Sequence, residues 1–166
     1  MTSILVSAET ETWVTDEGEG SDEPYTWQGA TGGAISNVWA CMDESGKQRS
    51  YGPSAIISFE EDVRPGDTVY AVVACYTTGG TFQREGGQAQ IVDVFLNPPD
   101  ALDLVSALEL HGEREYYFTH RAKEYYCPWA GYFETLDKVE VWSIQVRQSP
   151  KDPYTDERSP AVRFGR

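Results

Sequence analysis

The sequence lacks the residue patterns on which many soluble enzymes and metal proteins depend. It has two histidines, His111 and His120, and neither lies in an HExxH motif or another metal-ligand spacing. The Gly-rich segment 76–87 has no GK[ST] ending, so it is not a P-loop. The acids of segment 16–23 lack the alternating ligands and the final glutamate of an EF-hand. We therefore predict a protein that is not an enzyme and holds neither a cofactor nor a metal ion.

Cysteines are few, and long apolar runs are absent. The three cysteines form neither an even set nor a CxxC pair, which favours reduced thiols in a cytoplasm. Cys127 and His120 could pair as nucleophile and base, but the neighbouring Pro128 favours a buried, inert thiol.

Apolar runs such as residues 69–75 fall short of the roughly 20 residues that cross a bilayer. The N-terminal residues lack the basic segment of a signal peptide. The prediction is a cytoplasmic protein without membrane contact.

Positive charge is missing from the first 46 residues. Nine acids precede Lys47, whereas residues 147–166 carry five basic residues and three acids. The whole chain has a net charge of −14. A protein that binds duplex DNA needs the opposite balance, because phosphate contacts supply most of its affinity, so direct duplex binding is not expected. The acidic end is either a solvated loop that aids solubility or a surface presented to a basic protein.

The pattern of apolar residues and turns predicts an α+β fold, a mostly antiparallel β-sheet with one main helix at about 98–111. Asn97 can cap this helix, and prolines at 98 and 99 are tolerated in its first turn because those positions lack helical N–H partners. Gly112 can end it. Residues 15–36 read as a long acidic N-terminal loop, and residues 64–67 as a turn. We expect one domain over residues 1–148 and an extended basic tail over 149–166. Strands are predicted at 3–8, 12–14, 37–42, 54–60, 68–76, 87–96 and 138–147.

The segment EYYCPWAGYF, residues 124–133, places five aromatic rings in ten positions. Such rings either pack in a core against a turn or form a platform on which a flat ligand stacks. The Gly/Thr segment YTTGGTFQREGG, residues 76–87, is either a plain hairpin connection or a loop whose N–H groups, hydroxyls and Arg84 receive an anionic group. If the last strand packs beside strand 68–76, Trp129 would lie over this loop. The predicted ligand-binding residues are Tyr76, Thr78, Phe82, Arg84, Arg121, Trp129 and Tyr132.

Residues 68–147 resemble small uncharacterised bacteriophage-type accessory proteins. The shared features are an apolar strand, a Gly/Thr loop ending in Thr81-Phe82, Val94-Phe95 before a helix, and the P-W-x-G-Y-F-E segment at 128–134. The resemblance covers about half of the chain and brings no established activity with it. It implies a phage or prophage origin and therefore a host cytoplasm. Small phage accessory proteins often counter host defences, either by sequestering a nucleotide immune signal or by blocking a host protein.

Three functions remain open on this basis. The first is a non-catalytic counter-defence protein that sequesters a small nucleotide-derived immune signal through an aromatic and Gly-loop pocket. The second is an acidic inhibitor, in the manner of a DNA mimic, that binds a basic host protein. The third is a structural phage protein whose aromatic residues are simply core. The sequence leaves a homo-oligomer open in each case.

Overall fold

The computed structural model describes residues 1–14, 31–43, 53–79, 84–111, 114–130, 135–149 and 162–164. The elements are β1 (Thr2–Val14), β2 (Thr31–Met42), β3 (Ser54–Phe59), β4 (Thr68–Gly79), β5 (Arg84–Phe95), α1 (Pro98–His111), β6 (Tyr117–His120), β7 (Lys123–Tyr126), β8 (Thr135–Arg147) and β9 (Val162–Phe164), with a 3₁₀ turn at Pro128–Ala130. Seven of these strands form one sheet, in the order β3-β1-β2-β8-β4-β5, with β9 added to β8. A separate two-stranded hairpin, β6–β7, follows the helix.

The sheet is mostly antiparallel, as predicted, and the described residues contain one α-helix. The exception is a short parallel contact between β2 and β8, in which Ala40 pairs with Val146. β5 also lies against β1 and β2, so the sheet curls towards a barrel. Its concave side encloses an apolar core that includes Ile4, Val38 and Trp142.

A second core lies on the outer side of β4, β5 and β8. Because side chains alternate along a strand, Val73 points into the curled sheet whereas Val72 and Ala74 point outwards. The outward residues are covered by α1, by the β6–β7 hairpin and by the 3₁₀ turn. Two of the predicted ligand-binding residues, Tyr76 and Trp129, belong to this outer core.

The helix is confirmed as predicted. It begins at Pro98, and the backbone carbonyl of Asn97 accepts the hydrogen bond from Ala101 N at 3.5 Å. Its buried face consists of residues at helical spacing: Ala101, Leu104, Val105 and Leu108. Within the described part of the chain, no helix combines the length and the apolar character needed to cross a membrane.

Several strands are longer than the sequence predicted. β1 runs without a break from Thr2 to Val14, and β2 begins at Thr31, so residues 31–36 of the predicted acidic loop form part of a hairpin. A bulge between Glu9 and Thr10 absorbs a register shift in this hairpin. The rest of the predicted loop, residues 15–30, lies outside the described residues.

The predicted turn at residues 64–67 is confirmed. Gly66 has a φ of 95°, a conformation that favours glycine, and Asp67 N donates to Arg64 O at 3.0 Å. Gly66 N also donates to Val146 O at 2.8 Å, which ties the turn to β8.

Within the predicted basic tail, residues 162–164 form a strand of the sheet. β9 pairs antiparallel with β8, placing Phe164 opposite Val141 and Arg163 opposite Trp142. Backbone hydrogen bonding to β8 therefore holds residues 162–164 to this same chain.

Candidate functional site

The β6–β7 hairpin separates its side chains onto two faces with different chemistry. Phe118 and Tyr125 are paired across the strands and buried, and they turn towards the helix and the sheet. Tyr117 and Tyr126 form the neighbouring cross-strand pair and point outwards, with 58% and 48% of their surfaces exposed. This alternation makes the inner face an anchor and leaves the outer face available for contact.

A buried carboxylate holds the inner face to the sheet. Asp93 on β5 is only 5% exposed, and its Oδ2 accepts hydrogen bonds from the Tyr125 hydroxyl and from Lys123 Nζ, the latter at 3.0 Å. Its Oδ1 accepts from Val94 N at 2.8 Å. Burial raises the pKa of Tyr125 well above its ordinary value, and the hydrogen bond to Asp93 raises it further. Tyr125 therefore stays a neutral hydrogen-bond donor at physiological pH.

The turn of the hairpin is clamped to the first turns of α1. Arg121 Nη1 lies 2.7 Å from Asp100 Oδ1, and its Nε lies 3.0 Å from Asp103 Oδ2. His120 Nε2 lies 3.0 Å from the same Asp103 oxygen. The hydrogen bond to Asp100 raises the pKa of Arg121 above its ordinary value. These contacts orient the hairpin relative to the helix.

The two residues at the tip of the hairpin adopt left-handed backbone conformations. Arg121 has a φ of 49° and Ala122 a φ of 65°, as a two-residue type I′ turn requires. Glycine and asparagine are the usual residues in such a turn, and an alanine there is strained. The carboxylates of Asp100 and Asp103 hold Arg121 at this turn.

The outer face of the hairpin is aromatic. The rings of Tyr117 and Tyr126 lie with their centroids 5.0 Å apart and tilted by 35°. We call the ring pair of Tyr117 and Tyr126 the tyrosine patch. Leu110 and Tyr116, 61% and 49% exposed, are the other large hydrophobic residues, apart from Met1, that the described part of the chain exposes.

A cleft of about 260 Å³ opens beside the tyrosine patch, where the end of α1 meets β6. The residues that line it include Tyr117, Glu115 and Glu124, and His111 from the last turn of the helix. His111 stacks on Phe118 at 5.8 Å between ring centroids, and its Nδ1 lies 3.9 Å from Glu115 Oε2. The remaining lining residues are Phe118 and Thr119.

Trp129, the centre of the predicted stacking platform, lies in the outer core. It is 1% exposed, and its ring lies 5.5 Å from that of Tyr76 at an angle of 46°. Within the described residues its Nε1 has no hydrogen-bond partner. The aromatic segment therefore closes the core under the hairpin at this position, and a flat ligand could reach the indole only if the covering residues moved.

The Gly/Thr segment is mostly strand, which corrects the prediction of a long connection over residues 77–87. Thr78 pairs with Gly86 and Gly79 with Arg84, so β4 and β5 continue deep into the segment. Backbone N–H groups in this segment, which the prediction had expected to bind an anion, therefore take part in the hydrogen-bonded pairing of β4 with β5. Phe82 and Tyr132, two of the predicted ligand-binding residues, lie outside the described residues, and the side chains of Thr78 and Arg84 are likewise not described.

Among the predicted site residues, the structure brings Tyr76 and Trp129 together but places Arg121 elsewhere. Arg121 is at the hairpin tip, engaged with α1 rather than with the Gly/Thr segment. The outward tyrosines Tyr117 and Tyr126 were not among the ligand-binding residues predicted from the sequence. The alternation of YFTH and KEYY around the turn was the available signal, because it places Tyr117 and Tyr126 on one face.

The cysteines are free and buried, at residues 41, 75 and 127. Burial raises the pKa of both Cys75 and Cys127 from 9.0 to about 11, with nearby Glu140 adding to the effect at Cys75. A thiol in this state is a poor nucleophile at neutral pH. Across the described ranges, no group of three or more His, Cys, Asp or Glu side chains is arranged to hold a metal ion.

Comparisons with family models, with curated proteins and with solved structures gave no match to this chain. The resemblance to phage-type accessory proteins therefore stays a prediction. The tyrosine patch and its adjoining cleft are the candidate functional site.

Proposed function

We propose that this chain is a non-catalytic binding protein that contacts a partner protein through the tyrosine patch. The observation that carries this proposal is the exposed ring pair of Tyr117 and Tyr126 on the outer face of the hairpin. Tyrosine is enriched among the residues that dominate binding energy at protein interfaces. The tyrosine ring offers a large contact area. The tyrosine hydroxyl can hydrogen-bond to water in the free protein.

The anchoring of the hairpin supports this assignment. Asp93 holds Tyr125 and Lys123 on the inner face, while Asp100 and Asp103 hold Arg121 at the tip. A contact surface fixed before association loses less conformational entropy when the partner binds. The outer tyrosines thus sit on a preorganised support.

Charge favours a basic partner. The net charge of −14 raises the rate at which a positively charged protein meets this chain, and salt weakens that effect. The acids of residues 16–23, which lie outside the described ranges, would add to the same attraction. The acidic inhibitor that resembles a DNA mimic is therefore the form of the proposal best supported by composition.

The absence of catalysis is part of the proposal. The Cys127 thiol is buried with a raised pKa, and His120 lies against Asp103 rather than serving as its base. The setting we propose is the one the resemblance implies, a phage-type counter-defence protein acting in the host cytoplasm.

An affinity capture from bacterial lysate tests the proposal. We compare the wild-type protein with the double variant Tyr117→Ser/Tyr126→Ser, at about 50 mM and about 500 mM salt. The expected result is a set of basic proteins retained by the wild type at low salt and lost with the double variant. Retention of the same proteins by both would overturn the proposal.

A ring-preserving variant provides the control. Tyr117→Phe/Tyr126→Phe keeps both aromatic faces, so it should retain most of the captured protein. The serine variant should melt close to the wild type, because cross-strand aromatic pairs contribute only about 0.2–1 kcal/mol. A loss of capture with an intact melt assigns the effect to the surface rather than to unfolding.

A further inference from the structure

We propose that the cleft beside the tyrosine patch receives a cationic side chain of the partner, a guanidinium or alkylammonium group. This inference rests on the proposed function and specifies its recognition chemistry. Tyr117, Glu115 and Glu124 are among the residues that line the cleft, which has a volume of about 260 Å³. A cation gains from a carboxylate through charge and from a tyrosine face through the ring quadrupole.

The distribution of charge around the hairpin leaves this cleft acidic. The two hairpin cations lie away from it, since Lys123 binds Asp93 and Arg121 binds Asp100 and Asp103. Glu124 on the outer face has no ion-pair partner among the described residues. It is therefore available to a cation from outside.

The position of Glu124 also joins the cleft to the tyrosine patch. Glu124 lies opposite Thr119, and the next outward pair along the hairpin is Tyr117 and Tyr126. Carboxylate and rings thus share one face of a two-stranded ribbon. His111 limits the cleft on the helix side, with its Nδ1 3.9 Å from Glu115. An arginine or lysine that enters here would place its apolar stem along the rings and its charge at the carboxylates.

Charge complementarity selects this occupant. A carboxylate-bearing or phosphate-bearing group would meet two glutamates in the cleft and a chain of net charge −14. A neutral apolar side chain would leave the Glu124 carboxylate partly desolvated without a partner. A basic side chain satisfies both the acids and the ring.

The test is an NMR titration of the whole protein with the peptide acetyl-Gly-Arg-Gly-Arg-Gly-amide. The same peptide with citrulline in place of arginine matches its shape without its charge. We expect shifts at the amides of Glu115, Thr119 and Glu124 with the arginine peptide and none with the citrulline peptide. Equal shifts with both peptides, or no shift at these amides at about 10 mM peptide, would overturn the proposal.

Two single substitutions remove the same charge at different places. Glu124→Gln should weaken binding of the arginine peptide by about two- to fivefold, as expected for a partly exposed charge pair. Glu61→Gln, at an exposed carboxylate far along the chain between β3 and β4, should leave binding unchanged. Equal weakening by both would attribute the binding to net charge and reject the cleft as the site.

The titration is independent of any captured partner, so the two proposals can fail separately. Suppose that the tyrosine variants lose their partner but the cleft does not bind the peptide. The partner surface is then supported and the cation site is rejected. In the opposite case the cleft binds the peptide but the tyrosine variants capture the same proteins as the wild type. The cation site is then supported as a peptide-binding site, and the proposed partner surface is rejected.

Discussion

The hydroxyl of Tyr125 donates a hydrogen bond to Oδ2 of Asp93, and this contact joins the β6–β7 hairpin to the central sheet. Both residues are buried, and Lys123 supplies a cation to the same carboxylate oxygen. Tyr125 directly precedes Tyr126 on β7, so this buried contact anchors the strand that carries the exposed Tyr126. The rigidity of the candidate site depends on this buried contact.

We predict that Tyr125→Phe lowers the free energy of unfolding by about 1–3 kcal/mol, because it leaves a buried carboxylate short of one donor. Denaturant unfolding measures the change. Tyr126→Phe is the matched control, since it removes a hydroxyl from the exposed face of the same strand and should change stability by less than about 0.5 kcal/mol. Equal effects of the two substitutions would contradict the anchoring role of Asp93.

Trp129→Ala should lower the free energy of unfolding by about 3–5 kcal/mol, the cost typical of a large aromatic removed from a core. Trp129 is 1% exposed and packs against Tyr76, so the substitution leaves a cavity beneath the hairpin. Trp129→Phe should cost much less, because it keeps a ring and removes an indole N–H that lacks a partner among the described residues. A stable Trp129→Ala protein would show that the ring does not support the core.

Ala122→Gly should stabilise the protein by about 0.5–1 kcal/mol, because glycine adopts the left-handed conformation of the hairpin tip without steric cost. The reverse change elsewhere is the control. Gly66 has a φ of 95° and open space around it, so Gly66→Ala should destabilise through backbone strain alone. Thermal unfolding should show a higher melting temperature for Ala122→Gly and a lower one for Gly66→Ala. A destabilised Ala122→Gly would show that the tip is not strained.

The buried thiols predict a loss of stability at alkaline pH. Cys75 and Cys127 keep their protons up to about pH 11 in the native state, whereas unfolded thiols lose them near pH 9.0. Between these values the native protein binds more protons than the unfolded chain, so the free energy of unfolding falls as pH rises. A Cys75→Ala/Cys127→Ala variant should show a shallower decline from pH 9 to pH 11. An unchanged slope would assign the decline to other groups, with Tyr125 the first to examine by Tyr125→Phe.

Sequestration of a nucleotide-derived signal makes a separate prediction. It requires that cyclic oligonucleotides or ADP-ribose derivatives raise the melting temperature, by an amount equivalent to about 2.7 kcal/mol at a hundred times the dissociation constant. Arg84→Ala would then abolish the shift without changing the melt of the ligand-free protein. No stabilisation by any of these compounds would remove this function and leave partner binding as the surviving proposal.

Local signals predicted the elements whose conformation depends on nearby residues. Asn97, Pro98 and the spacing of Leu104 and Leu108 predicted the helix because capping, proline geometry and helical periodicity act within a few residues. The turn at Gly66 followed from the same kind of chemistry. Strand ends were less well predicted, as at Thr78 and Gly79, because glycine and threonine are compatible with both a loop and a ladder.

The candidate site shows where local information ended. The sequence placed aromatic residues densely around Trp129, but the direction of each ring depends on which strands and helix it meets. Trp129 is buried because it packs against the apolar outer faces of β4 and β8. Tyr117 is exposed because its neighbour Phe118 occupies the inward position.

The sequence by itself therefore determined the mostly antiparallel α+β fold, the helix and the strongly acidic character of the chain. Tertiary structure alone decided which aromatic residues became core and which became surface. The physical reason is that strand alternation fixes two faces for the β6–β7 hairpin, whereas the packing of Phe118 and Tyr125 in the outer core and the contacts with Asp93 select the face that turns inwards. Those contacts join residues far apart in the chain, and no local pattern encodes them.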